Sequence, residues 1–151
     1  MHTVGDRLHV EEHAGCVVCG AENAAGLQIT YTTEAAGSVS ALWRPGTRYE
    51  GFKGLVHGGM LATVLDEAMA KAVVSLGLEA LTGDLRVRFR QYVVPDEPLR
   101  ITGWVVSHRG RLLKAEATVC TLAGGERCHA WGVFAIVPGA PTTAQTAEAA
   151  W

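Results

Sequence analysis

GGMLATVLDEAMAKAVVSLG, residues 58–77, is the one long helical stretch in the chain, and its composition decides how the rest must be arranged. Ala, Met and Leu favour the helix, and Gly77 supplies a natural C-terminal stop. Apolar side chains at 60, 61, 64, 65, 68, 69, 72, 73 and 76 cover most of the circumference. Only Thr63, Asp66, Glu67 and Lys71 are left as a narrow polar stripe. A helix this apolar must be surrounded, so the flanking segments have to form a wall around it.

Those flanks read as strands. Before the helix, LQITYTT (27–33) and SVSALWR (38–44) carry β-branched and aromatic residues on either side of the short turn EAAG, which predicts a hairpin. After it, residues 82–94, 99–108, 111–122 and 126–137 are divided by PDEP, RG and AGG, which predicts a four-strand antiparallel meander. In the first of these, Leu85, Val87 and Phe89 alternate with Arg86, Arg88 and Arg90, so one face packs on apolar neighbours and the other meets water or anions. The expected fold is therefore α+β, an antiparallel sheet of about six strands wrapped around one long central helix. No repeat or linker divides the chain, so residues 1–151 are expected to form a single domain, with 1–15 and 139–151 peripheral or disordered.

Bulk composition narrows the function by exclusion. A net charge of -2 and a pI near 6.3 give no general attraction to nucleic acid or anionic membranes. The N-terminus lacks the basic start and apolar run of a signal peptide, and nothing approaches the roughly 18 apolar residues of a membrane span. A cytoplasmic location follows as an expectation, and with it reduced rather than disulfide-bonded cysteines at 16, 19, 120 and 128.

GLVHGGMLATVLDEAMA, residues 54–70, resembles the signature of hotdog-fold acyl-CoA thioesterases, especially the phenylacetate-pathway type and its relatives. The matched features are His57-Gly58-Gly59 and an acid nine residues after the histidine. The likeness extends over roughly residues 16–137, taking in CVVCGAENAAGL before the hairpin and TGDLRVRFRQYVVPDEPL after the helix. The resemblance implies a hotdog fold, hydrolysis of acyl-CoA to a free acid and CoA, no metal or redox cofactor, and a homodimer or homotetramer.

The residues support that chemistry on their own terms. Two glycines opening a helix expose N–H groups without intrahelical acceptors and let a ligand oxygen come close, which makes an oxyanion hole. Asp66 can deprotonate water or attack the thioester carbonyl directly. It also reads as an ordinary aspartate on the helix's polar stripe, and the spacing from His57 favours catalysis. Eight helical residues separate Gly58 from Asp66, a rise of about 12 Å. Both groups must lie about 3 Å from one reacting centre, so a shared site needs Asp66 from one copy and Gly58 from another.

His57 either orients the leaving sulfur, donates to the carbonyl, or holds the turn. Glu67 is a second candidate base, although an ion pair with Lys71 four residues on accounts for it. Relatives carry an Asn six positions before the His; here that position is Gly51. They also carry a Ser or Thr opening the strand after the helix, a place that Thr82 or Asp84 could fill, Thr82 reading equally as an ordinary strand opener.

The phosphates of CoA call for arginines, and Arg109 and Arg111 in the turn His108-Arg-Gly-Arg111 suit them better than Arg86, Arg88 and Arg90, which read as a solvated outer face or an oligomer contact. Cys16-Val-Val-Cys19 has metal-ligand spacing, but a tetrahedral zinc site needs two more ligands and only Cys128-His129 offers them, so the pair is read as shaping a turn and no metal is expected. Trp43, Trp104 and Trp131 read as core or interface residues. Two rival functions share the fold: a non-hydrolytic binder of acyl-CoA or acyl carrier protein, and a hydratase or dehydratase whose histidine is the base.

Overall fold

A computed structural model describes residues 12–138. The outermost parts of the two end segments expected to be peripheral, 1–11 and 139–151, lie outside the described residues.

The hairpin before the helix is β1 (Thr32–Ala35) and β2 (Ser38–Trp43). A single helix, α1 (Gly58–Val74), is followed by four long strands: β3 (Ala80–Phe89), β4 (Leu99–Arg109), β5 (Leu112–Thr121) and β6 (Glu126–Ile136). Together the six strands form one antiparallel sheet in the order β1-β2-β4-β5-β6-β3.

α1 lies across the concave side of this sheet. Leu61, Val64, Leu65, Ala68, Met69, Ala72 and Val73 are buried, the i, i+3/i+4 repeat of a helix facing a wall. Closest approach falls at Gly103 of β4, where any Cβ would stand 2.5 Å from the Ala68 carbonyl oxygen. The small residues Ala68 and Gly103 thus let helix and sheet touch backbone to backbone. Leu65, Met69, Ile101, Leu113 and Phe134 fill the space around that contact, all fully buried. Gly77 ends the helical segment at φ +74°, a conformation that costs glycine little and other residues more.

Two sequence expectations need correction. The segment 27–33 enters β1 only at Thr32; before that, Leu27 and Ile29 donate to the carbonyls of Val17 and Val18, so this stretch is held by the loop preceding it and not by a sheet partner. Nor do the last four strands form a meander. β4, β5 and β6 do, but β3 pairs with β6 at the far edge and β4 pairs with β2. The helix carries the chain across the sheet before β3 begins, and β3 is laid down where only one neighbour can reach it.

β3 consequently has one free edge and little cover. Leu81, Leu85 and Phe89 are 47%, 37% and 52% exposed, against 0% for Leu99, Ile101 and Leu113 on the interior strands. Ten residues of unpaired strand edge with apolar side chains alongside form a template for another strand.

Candidate active site

His57 is the N-cap of α1. Its backbone is extended, and its ring Nδ1 accepts the Gly59 N–H at 2.8 Å, so the ring proton of this tautomer is carried on Nε2. The ring is wedged in place. A Cβ on Gly59 would lie 3.0 Å from Nδ1, and a Cβ on Gly51 would lie 2.9 Å from Cδ2. Gly51, where relatives carry an asparagine, therefore makes the room that the His57 ring occupies. The His57 N–H donates to the Tyr49 carbonyl at 2.8 Å, which fixes the turn from its other side.

This geometry revises what the two glycines offer. The Gly59 N–H is taken by His57 and is no oxyanion donor, while Met60 and Leu61 both donate to the His57 carbonyl. Only the Gly58 N–H has no acceptor among the described residues. Gly58 also differs from Gly51 and Gly59 sterically: an added Cβ would meet nothing closer than the Phe89 ring at 3.5 Å, an ordinary contact. The packing within one chain does not require glycine there.

Two turns further along the helix, Asp66 is half-buried and its Oδ1 accepts the Thr82 hydroxyl at 2.7 Å. Thr82 sits just before a β-bulge at Gly83, where the register between β3 and β6 shifts. The bulge separates the two polar residues of this segment. Thr82 meets the helix, whereas Asp84 lines a cavity of about 310 Å³ with Lys114, Glu116 and Trp131, to which α1 contributes nothing. The structure brings Thr82 to Asp66 and does not bring Asp84.

Along β3, Asp66 of α1 meets Thr82 near the start of the strand, and Gly58 stands beside the Phe89 ring at its end. Within one chain these stand at opposite ends of β3.

The remaining candidates spread along the sheet. Arg109 and Arg111 flank the β4–β5 turn in the row Arg109–Leu112–Ala135–Leu81, the same end of the sheet as Thr82. Arg111 is committed there, donating to the Val137 carbonyl at 3.1 Å. Arg86 lies over the Trp131 ring at 4.9 Å and Arg90 pairs with Glu126 at 2.5 Å, both accounted for by the sheet itself. Trp43 is buried, while Trp104 and Trp131 flank His129, the latter stacked at 4.3 Å.

Glu67 lies 4.0 Å from Lys71, the i, i+4 pair expected, and Lys71 also bonds Glu12. Glu67 has a second role that the sequence did not reveal, since the Cys16 thiol donates to its Oε1 at 3.8 Å. Burial foremost, then the Glu67 carboxylate, pushes the Cys19 thiol up to about 12. Cys128 and His129 are far from this group in connectivity and contact: Cys128 is in the core, and His129 Nε2 lies 2.7 Å from Glu116. All four cysteines are free thiols.

With this geometry in view, the family model described as the thioesterase superfamily matches residues 53–128, half of the chain, from just before the His57 turn into β6. The chain belongs to the thioesterase superfamily. A solved member of this superfamily is 29% identical over 79% of the chain, with a TM-score of 0.75; the match covers 62% of that protein, so the present chain spans less than two thirds of its length. A hypothetical thioesterase protein of Streptococcus pneumoniae TIGR4, solved with coenzyme A, is 24% identical over 72% of this chain and 85% of its own, with a TM-score of 0.68. The PaaI protein from the phenylacetic acid degradation operon of E. coli is 18% identical over 72% and 83%, with a TM-score of 0.69. These last two share the fold, and the α+β hotdog architecture is that of the superfamily. No curated protein matches the sequence. Among the described residues no helix is long and apolar enough to cross a membrane.

Proposed function

We propose that this thioesterase superfamily chain hydrolyses acyl-CoA to a carboxylic acid and CoA, in a site that two copies build together. The observation that carries this reading is that the two groups on α1 lie against opposite ends of one edge strand: Asp66 at the Thr82 end of β3, and the unpaired Gly58 N–H at the Phe89 end. An antiparallel pairing of β3 with itself, about its middle, sets residues 80–82 of one copy opposite 87–89 of the other. Asp66 of each subunit then faces Gly58 of the partner subunit. The exposed Leu81, Leu85 and Phe89 would be covered by the same contact.

In the composite site Thr82 orients the Asp66 carboxylate through Oδ1 and leaves Oδ2 to take a proton from water or to attack the carbonyl carbon. The Gly58 N–H, at the positive end of the α1 dipole, stabilises the oxyanion as the C–S bond weakens. The thiolate is a good leaving group, so this route uses no metal or redox cofactor. Glycine at 58 suits this role because the chain's own packing does not demand it. Arg109, at the Thr82 end of the sheet, would take a CoA phosphate, with Arg111 next to it in the same turn. Nδ1 of His57 is engaged by Gly59, which favours hydrolysis over a hydratase that would need the ring as its base. CoA bound to the pneumococcal relative and acetyl CoA bound to a Streptococcus mutans protein of the same fold support the choice of substrate class.

Complementation between two inactive variants tests the proposal. Asp66→Ala and Gly58→Leu should each lose thiol release from a panel of acyl-CoAs. In the mixed dimer one site carries both lesions and the other carries neither. With half of the dimers mixed and one of two sites intact, activity should return to about a quarter of wild type. No recovery after subunit exchange, with mixed dimers shown by mass spectrometry, would exclude the shared site. Thiol release that survives in Asp66→Ala would remove that carboxylate from the chemistry, and a change in enoyl absorbance without thiol release would indicate hydration instead.

A further inference from the structure

The Cys16-Val-Val-Cys19 turn packs against the face of α1 next to the one that carries Asp66. The two sulfurs and a Glu67 carboxylate oxygen all lie within 4.8 Å of one another. The Cys16 Sγ to Glu67 Oε1 separation, 3.8 Å, is already the edge of a tetrahedron around a zinc ion, for which Zn–S of about 2.3 Å and Zn–O of about 2.0–2.2 Å require ligand spacings of about 3.5–3.8 Å. The turn directs two backbone donors at the Cys16 sulfur. Both the Val18 and the Cys19 N–H donate to Cys16 Sγ at 3.4 Å, and Gly20 N–H closes the loop on the Cys16 carbonyl at 2.9 Å. Gly20 cannot be replaced within this shape, since a Cβ would lie 2.4–2.5 Å from the backbone atoms of Ala14 and Cys16.

We infer that Cys16, Cys19 and Glu67 form a binding site for a thiophilic divalent cation of the zinc type. Two thiolates and a carboxylate carry three negative charges against two on the ion. Lys71, 4.0 Å from Glu67 and bonded also to Glu12, is the cation beside the site and is shared between the two carboxylates. The fourth position opens on a cavity of about 380 Å³ that His13 also lines, so solvent completes the tetrahedron. The sequence did not suggest this donor set because the third ligand is 51 residues from the first, on a different element. The site would clamp the loop before β1 to the middle of α1, one residue from Asp66. It stands independently of the proposed hydrolysis.

The test uses the whole chain, purified under reducing conditions and stripped with a chelator. Zn2+ should bind at one equivalent per chain in competition with a chromophoric chelator. Co2+ in its place should give a thiolate-to-metal charge-transfer band in the near ultraviolet together with visible d–d bands of tetrahedral strength. Cys16→Ser and Cys19→Ser should each weaken Zn2+ by more than about 100-fold, beyond what loss of an outer-shell partner causes, and Glu67→Gln by at least tenfold. Cys120→Ser should bind as wild type does. Circular dichroism of the stripped variants checks that each folds. Wild-type protein that shows no thiolate band with Co2+, or Zn2+ binding that survives the Cys16→Ser/Cys19→Ser double substitution, would overturn the assignment.

Discussion

His57 can be tested as a cap before it is tested as anything else. Its Nδ1 accepts the Gly59 N–H at 2.8 Å and satisfies one of the donors that the first turn of α1 leaves open. Replacing an N-cap by alanine costs about 1 kcal/mol, within a range of about 0.5–2. Gly51 and Gly59 shape themselves to the ring, with their added Cβ positions at 2.9 and 3.0 Å from it, so His57→Ala also opens a small void and the upper half of that range applies. For a domain of this size 1 kcal/mol shifts the melting temperature by about 3–4 °C. His57→Ala should therefore melt about 4–8 °C below wild type at matched protein concentration. His57→Asn should recover most of the loss, because a short side-chain oxygen at the cap reaches the same N–H. The Gly58 N–H is aimed by the turn that the cap holds, so thioester hydrolysis should follow stability: kcat falls at least about tenfold in His57→Ala and lies within about tenfold of wild type in His57→Asn. The assays are thermal unfolding and thiol release on the same preparations. A His57→Asn protein as stable as wild type but reduced in kcat by more than about 100-fold would refute the capping argument and give Nε2 a direct part in the reaction.

Thr82→Val removes the hydroxyl that orients Asp66 and keeps the side-chain shape; the pair is partly open to solvent, so about 1 kcal/mol and a fivefold drop in kcat are expected, with KM unchanged, and an unaltered kcat would show that the 2.7 Å bond positions nothing. Leu85→Lys places a charge in the middle of the free β3 edge, where lysine discourages strand pairing, and should yield monomers by light scattering with hydrolysis lost; an intact, active dimer would move the interface elsewhere. In chelator-treated protein at pH 8, Cys19 should alkylate two or more orders of magnitude more slowly than in the denatured chain, because a thiol held up to about 12 is almost wholly protonated there; labelling followed by peptide mass spectrometry reads the rate, and modification as fast as in denaturant would contradict the burial of the thiol against Glu67.

The helix was legible from sequence because its apolar positions leave no other solution; its end was read three residues late, since α1 stops at Val74 and Gly77 takes its positive φ in the turn that follows. Strand content was legible for the same reason, a period of two between turn signals. Strand order was not. Pairing is chosen by where α1 delivers the chain, and nothing within residues 80–89 names β6 as the partner. One trace was available: the Leu85/Val87/Phe89 row alternates with arginines as a half-buried strand does, yet in one chain Leu85 and Phe89 stay exposed. That mismatch fits the proposed pairing of β3 with a second copy.

Of the candidate site, the residues could be named from sequence and their arrangement could not. His57, Gly58 and Asp66 could be chosen from spacing, but the division of labour between the two glycines depends on where one imidazole nitrogen points. Thr82 read as an ordinary strand opener because its value comes from a bulge one residue later, which turns Asp84 away and leaves Thr82 facing the helix.

The polar stripe of α1 is where these threads join. Asp66 and Glu67 are successive residues about 100° apart around a helix of 3.6 residues per turn, so they must serve different neighbours. Asp66 turns to the edge strand and Glu67 to the cysteine turn. Among the described residues Asp66 is anchored through Thr82 alone, and in the proposed dimer its other carboxylate oxygen faces a second copy across the free edge of β3. An interior β3 would have had a neighbour on both sides and no free edge to offer a second copy. In the proposed site, the crossover that places β3 at the edge is what lets the acid of one copy reach the amide that a single chain holds two helical turns away.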